Sequence, residues 1–263
     1  MKFKPKKSLG QNFLVDRNII NLISKAVKIS KNDVLLEIGP GTGNLTEKLF
    51  QLQPKKFILI EKDFKLAKSL NSKFKENVEV INKDILKLNL EKIDYENMII
   101  FGNLPYNVSS QILSRWIKLK NLKSKCKKLI LMFQKEVANR ILAKTNGKNY
   151  GRLSILTSWK MNVKKLRDVE PGSFYPVPKV QSSILEFEPK INFFKLNNPK
   201  NLEYITSVFF GQKRKMIKKP LNLIFNNALE ISDKLNLNLN DRPQNLSPLT
   251  YFKLCKEFEN LTN

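Results

Sequence analysis

Short apolar runs alternate with longer mixed stretches over the first two thirds of the chain. The runs at residues 34–38, 57–60, 78–81, 98–101 and 129–133 are rich in β-forming side chains and too short for buried helices. The stretches between them can each hold a helix. This predicts a mostly parallel sheet covered by helices on both faces, an α/β Rossmann-like fold. Ile19, Ile20, Ile23 and Val27 recur at helical spacing and predict a helix over 17–27, and residues 45–52 predict another. Residues 180–187 read as a further strand after a proline-containing loop from Pro171 to Pro178. Beyond Pro189 the strand signals fade, and 201–219 and 233–263 read as helical with polar breaks. The expected organisation is an α/β domain over 1–190 and a small helical C-terminal domain over 191–263, with no internal repeat.

Charge narrows the function classes. The chain carries 48 Lys and Arg against 23 Asp and Glu, a formal net charge of +25, and such a field attracts polyanions and speeds encounter with them. RNA, DNA and an anionic membrane all fit. Lysine supplies 41 of the 48 cations, so a compositional bias toward lysine and asparagine contributes to the excess whatever the function. Cys126 and Cys255 are too few for a disulfide framework and lack the spacing of a zinc site, which implies a reducing compartment. The chain has no histidine, which excludes Ser-His-Asp and Cys-His mechanisms, a histidine base and histidine–metal ligation. No apolar run approaches the ~20 residues of a membrane span. The first eight residues are basic, are expected to be flexible, and lack the apolar stretch of a signal peptide. A soluble, cytoplasmic, metal-free protein is expected.

Three of the nine glycines fall within five residues, in Glu37-Ile38-Gly39-Pro40-Gly41-Thr42-Gly43. After a buried strand and before a helix, glycines permit a tight turn and close approach of a ligand to the backbone, which places a nucleotide-type pocket at the strand's carboxyl end. The spacing is not the G-x-G-x-x-G of dinucleotide binders, and a carboxylate at Glu37 would repel a pyrophosphate. Both features favour a cationic cofactor without phosphates, such as S-adenosyl-L-methionine. Glu61 ends the next strand, where a carboxylate can accept both ribose hydroxyls. Asp84 ends the third run and can accept from the cofactor's adenine amine.

After the fourth run comes Gly102-Asn103-Leu104-Pro105-Tyr106, again at a carboxyl edge. The exocyclic amine of adenine is a poor nucleophile because its lone pair is delocalised into the ring. If the Asn103 side-chain oxygen and the Leu104 carbonyl both accept from N6 at about 3 Å, the amine is drawn toward tetrahedral geometry with its lone pair toward the methyl donor. Pro105 would stiffen the loop and Tyr106 would stack on the base. No strong base is needed, so the absence of histidine does not count against this chemistry.

These motifs, with Leu9-Gly10-Gln11-Asn12-Phe13-Leu14, Gln134-Lys135-Glu136-Val137, Tyr150-Gly151-Arg152-Leu153 and Phe174-Tyr175-Pro176-Val177-Pro178, span nearly the whole chain. In them the sequence resembles the small-subunit (16S) ribosomal RNA adenine N6,N6-dimethyltransferases. The resemblance implies a Rossmann-like S-adenosylmethionine-dependent methyltransferase fold. It implies that Asn12 and Leu14 close over the methionine end of the cofactor, with Gly39, Glu61, Asp84 and Asn103 completing its site; Gln11, Glu37, Gly41 and Gly43 are also expected to bind the cofactor. It also implies that Phe174 faces Tyr106 across the target adenine, that four methyl groups go to two adjacent adenosines in a hairpin near the 3′ end of 16S rRNA, and that the partner is a small ribosomal subunit or its precursor. A monomer is the default expectation. Lys213, Arg214 and Lys215 resemble the family's basic helix. Pro220 departs from the family pattern there and points to a shortened helix, and Lys83 replaces the small residue usual before the aspartate.

Three other readings remain at this level. A large-subunit rRNA adenine dimethylase would share the fold; Leu104 and the segment from Tyr150 to Leu153 argue against it. A non-catalytic ribosome-assembly factor would tolerate loss of Asn103 or of the glycine turn, and both are present. A nicotinamide-dependent oxidoreductase would need the dinucleotide glycine spacing, which is missing.

Overall fold

The structure, a computed structural model, describes residues 4–6 and 9–262. Among the described residues nine strands run in chain order: β1 (Phe13–Leu14), β2 (Val34–Ile38), β3 (Lys56–Glu61), β4 (Val78–Asn82), β5 (Met98–Asn103), β6 (Cys126–Gln134), β7 (Met161–Val169), β8 (Phe174–Tyr175) and β9 (Ser182–Pro189). The helices are α1 (Arg17–Lys25), α2 (Asn44–Phe50), α3 (Phe64–Lys73), α4 (Ser109–Ile117), α5 (Leu122–Lys125), α6 (Lys135–Ile141), α7 (Arg152–Lys160), α8 (Pro199–Gly211), α9 (Lys218–Ile224), α10 (Ala228–Lys234) and α11 (Pro248–Thr262).

Seven strands form one sheet in the order β4-β3-β2-β5-β6-β9-β7. Strands β4 to β6 in that order are mutually parallel, and β9 joins β6 antiparallel. Every residue of β2 is buried, which is why its sequence is apolar at every position but Glu37 rather than alternating. Leu35, Leu59, Ile99, Phe101 and Ile130 pack on one face with Ile19, Ile20 and Ile23 of α1 and Leu45 and Leu49 of α2. The five expected parallel strands all form, each extended by at most a few residues.

Three strands escaped the sequence reading. β7 carries mostly exposed or half-buried residues, including Lys164 and Lys165, as suits a strand at a sheet edge. β1 and β8 have two residues each and pair as an antiparallel ribbon, Phe13 opposite Tyr175 and Leu14 opposite Phe174.

The described residues divide into two compact units. One runs up to Ala138 and resumes over Val163–Pro189; the other holds Asn139–Asn162 and the residues from Lys190 onward. The division at Pro189 falls where the strand signals fade, while α7 groups with the later helices. Within this second unit, Tyr150 donates its hydroxyl to Leu246 O at 3.0 Å and Trp159 Nε1 donates to Phe194 O at 2.7 Å. The helix expected over 201–219 ends at Gly211 and resumes at Lys218. Pro220 lacks an N–H and therefore fits the first turn of a new helix, where no intrahelical partner is required. Of the helical stretch expected over 233–263, only the part from Pro248 onward forms a helix of its own, α11; α10 ends at Lys234, and the residues between are a loop with one short turn over Pro243–Asn245. Of the basic start, Met1 to Phe3, Lys7 and Ser8 lie outside the described residues.

Candidate cofactor and substrate pocket

The sheet reverses its order between β2 and β5: β3 and β4 lie to one side of that pair and β6 to the other. Loops leaving neighbouring carboxyl ends at such a point diverge and open a crevice, where open α/β sheets hold ligands. Ile38 pairs with Gly102, so the glycine turn and the Asn103 loop emerge side by side. Two adjoining cavities open there. Asn12, Phe13, Gly39 and Asn103 line both.

All sequence-predicted residues but two reach these cavities. Gln11, Gly41, Glu61, Asp84, Leu104, Pro105 and Tyr106 line the larger one, and Leu14 and Glu37 line the smaller. Gly43 does not. A Cβ there would lie 3.0 Å from Leu70 Cδ2 and 3.4 Å from the Phe74 ring, and φ is +83°, so this glycine serves the turn and the packing of α2 on α3. Phe174 also lies elsewhere: it is 2 % exposed and packs in the core with Leu14, Val169 and Ile184, on the other side of the ribbon from Phe13.

The backbone of the turn decides which ligand chemistry fits. Gly39 N donates to Ile60 O at 2.9 Å, Gly41 N to Glu61 Oε2 at 3.1 Å and Gly43 N to Pro40 O at 2.9 Å. All three glycine amides are engaged within the protein, so none of them is free to cradle a phosphate. Gly41 is held at φ +59°, and an added Cβ would come within 2.7 Å of the Phe13 ring. That contact packs the N-terminal segment directly on the turn.

Three carboxyls surround the turn in three different states. Glu61 is 6 % exposed, and its two oxygens accept from Gly41 N and from Asp63 N at 2.8 Å. Burial raises its pKa against those hydrogen bonds. Each oxygen retains a lone pair, the geometry needed for a vicinal diol. Glu37 is 3 % exposed and accepts from Thr46 Oγ1 at 2.7 Å. Burial pushes its carboxyl up to about 8, with Glu61 adding to the effect, so it is protonated at neutral pH. The charge expected from the sequence at Glu37 is therefore absent at neutral pH. Asp84 is held below the ordinary carboxylate range, chiefly by Lys62 at 2.9 Å, and its other oxygen accepts from Leu86 N.

Asn103 Nδ2 donates to Asn12 O at 2.8 Å. A carbonyl can only accept, so this bond fixes which end of the amide is nitrogen and leaves Oδ1 as the acceptor face. Tyr106 is half-buried, its hydroxyl 2.6 Å from Ser182 Oγ. A clamp missed by the sequence reading holds the N-terminal segment: Asp63 Oδ2 meets Lys6 Nζ at 2.7 Å and Gln11 Nε2 at 3.3 Å, and Gln11 Oε1 accepts from Lys6 N at 2.7 Å. Lys62, Lys83 and Ile85 also line the larger cavity. The available signal was position, since each neighbours a strand-end acid. Among the described residues no group of three His, Cys, Asp or Glu is placed to hold a metal, and no helix is long and apolar enough to cross a membrane.

A family model described as ribosomal RNA adenine dimethylase matches residues 2–260. The chain belongs to the ribosomal RNA adenine dimethylase family. Membership carries the class of activity, S-adenosylmethionine-dependent methyl transfer to adenine in ribosomal RNA, and the Rossmann-like methyltransferase fold. A relative from Pelagibacter ubique named ribosomal RNA small subunit methyltransferase A is 53 % identical over 261 residues, 99 % of each chain. A dimethyladenosine transferase from Plasmodium falciparum superposes with a TM-score of 0.81 at 31 % identity, covering 94 % of this chain and 97 % of that one. The 23S rRNA methyltransferase ErmE shares the fold, with a TM-score of 0.70 at 23 % identity over 94 % of this chain and all of its own.

Proposed function

We propose that this family member dimethylates the N6 amines of two adjacent adenosines in a hairpin near the 3′ end of 16S rRNA, acting as a cytoplasmic monomer on the small ribosomal subunit or its precursor. The observation that carries the reading is the Asn103 amide, oriented by Asn12 at 2.8 Å so that its oxygen is the acceptor, beside a pocket lined by two strand-end acids, Glu61 and Asp84. The full-length similarity to a small-subunit enzyme supports that substrate over the large-subunit one.

The donor set suits S-adenosylmethionine, which supplies an electrophilic methyl group on a sulfonium centre. Glu61 presents two oxygens for the ribose hydroxyls, Asp84 accepts from the adenine amine, and Gly39 and Gly41 let the cofactor lie against the backbone. Asn12, Leu14 and Glu37 form the wall at the methionine end, and the Gln11 clamp keeps that wall in place. Asn103 Oδ1 and the Leu104 carbonyl accept from the target amine and turn its lone pair outward, Pro105 restricts the loop, and Tyr106 supports the base from one face. A flipped base is required because N6 is not fully accessible in a paired stack. The first unit is the catalytic domain, and the helical residues beyond Pro189 contact RNA.

Purified protein with radiolabelled S-adenosylmethionine and unmodified small and large ribosomal subunits tests the proposal. Label recovered as N6,N6-dimethyladenosine from the small subunit is the expected result. Label from the large subunit alone, or none despite tight particle binding, refutes it.

A further inference from the structure

Among the described residues of the first unit six large apolar side chains are exposed, and four of them gather at the β1·β8 ribbon: Val15 (45 %) just after β1, Tyr175 (59 %) in β8, and Val177 (66 %) and Val180 (44 %) in the loop after β8. Exposed apolar residues scattered singly need no explanation, but a cluster does. Both feet of this loop stand on the walls of the larger cavity. At one, Tyr175 pairs with Phe13; at the other, Ser182 meets the Tyr106 hydroxyl at 2.6 Å, and Gln181 O accepts from Lys135 N at 2.9 Å. Phe13 and Tyr106 both line the cavity. Phe174 is buried beneath, so the ribbon is anchored by one aromatic and presents the next to solvent. Pro176 and Pro178 limit the backbone freedom of the loop between.

The charges around the cluster are sorted. Asp16 accepts from Ser173 Oγ and caps α1, Glu170 accepts from Gln181 Nε2, and Asp168 is held by Ser183, Lys165 and Lys135. Arg17 and Lys179 are exposed beside them. An exposed aromatic with flanking cations next to the pocket that Tyr106 lines matches single-stranded RNA, whose unstacked bases lie on aromatic faces while its phosphates meet cations.

We infer that Tyr175, with Val177 and Val180 beside it, is a stacking platform for the nucleotides flanking the target adenosine. This rests on the proposed function and adds a second RNA contact outside the catalytic pocket.

The test uses the full chain and a synthetic RNA hairpin with two adjacent loop adenosines and 2-aminopurine at the neighbouring loop position. The wild-type protein quenches the 2-aminopurine on binding. Tyr175→Ala abolishes the quenching and weakens hairpin binding roughly five- to hundredfold, the range for loss of one base–aromatic stack. The slope of affinity against salt and the affinity for S-adenosylmethionine stay unchanged, since no phosphate contact and no cofactor contact is lost. Tyr175→Phe behaves as wild type, and Val177→Ser gives a smaller loss of the same kind. Wild-type quenching by Tyr175→Ala overturns the inference. So does weakened binding to intact small subunits with unaltered hairpin binding, which identifies a ribosomal protein as the occupant. Normal quenching by wild type with no methyl transfer to any ribosomal RNA removes the proposed function and leaves the platform standing.

Discussion

Glu37→Gln should make the cofactor-free protein more stable at neutral and alkaline pH. Glu37 titrates at about 8 in the folded chain against an ordinary value of 4.5, chiefly because burial disfavours the charged form. The folded state therefore keeps a proton that the unfolded chain releases once the pH passes 4.5. Below 4.5 both states are protonated and the group has no effect on stability. Between 4.5 and about 8 the folded state loses stability steadily, and above 8 the full penalty applies, up to about 5 kcal/mol at about 1.4 kcal/mol per pH unit. At pH 7 the same arithmetic gives about 3 kcal/mol. Glutamine has the same shape and still accepts from Thr46 Oγ1 but carries no titrating proton. Urea unfolding of both proteins between about pH 5 and about pH 8.5 should give curves that converge at the acid end and separate by a few kcal/mol at the other. Parallel curves would refute the reasoning. The same carboxyl should ionise when a cation faces it, so S-adenosylmethionine binding near pH 7 should release a proton. Calorimetry in buffers of different ionisation enthalpy reads that release, which should vanish in Glu37→Gln.

Asn103→Ala should reduce methyl transfer by about a hundredfold or more, as for loss of an oriented transition-state partner, while RNA binding in a filter assay stays near normal. Glu61→Gln leaves one backbone N–H, of Gly41 or Asp63, facing an amide group, and cofactor affinity by calorimetry should fall about tenfold or more. Gly43→Ala should lower stability by about 1–3 kcal/mol through its left-handed backbone and the approach to Leu70, with cofactor affinity in the folded protein unchanged. Arg214→Ala with Lys215→Ala should reduce the salt dependence of RNA binding by a log–log slope of about 1–2. Lys213→Ala should leave that slope alone, because Lys213 Nζ is engaged by Lys148 O at 2.9 Å and Tyr150 O at 3.4 Å.

The parts of the fold legible in the sequence were those whose residues answer to a single environment. β2 is buried along its whole length, so its composition alone marks it as a central strand. The glycine turn is legible because only glycine tolerates Gly41's combination of φ +59° and a side-chain ring within 2.7 Å. β7 was illegible because an edge strand rich in lysine resembles a solvated segment. The ribbon of β1 and β8 was illegible because two residues carry no period, and its pairing joins positions about 160 residues apart. The Lys6–Gln11–Asp63 clamp fails for the same reason: each partner is ordinary alone, and only the fold brings them together.

Gly43 and Phe174 teach a different lesson, since both belong to motifs that mark the site while standing outside its cavities. A motif reports which residues occur together, not which face each one presents. In Gly39-Pro40-Gly41-Thr42-Gly43, Gly41 faces the N-terminal wall and Gly43 faces α3. In Phe174-Tyr175 the strand alternation sends neighbouring side chains to opposite faces of the ribbon, so one fills the core and the other meets solvent. Register, rather than residue type, assigns these roles. Sliding the β1·β8 pairing by one residue would exchange them, burying Tyr175 and exposing Phe174. The aromatic presented beside the pocket is therefore set by Val15 N and Asp16 N, which both donate to Ser173 O at 2.9 Å and 3.3 Å and hold the register. Asp16 adds a third tie through Ser173 Oγ at 2.9 Å, so Ser173→Ala should loosen the ribbon without touching either aromatic. Faster amide exchange at Val15 than in wild type is the expected sign, and unchanged protection there would mean that the backbone bonds alone set the register.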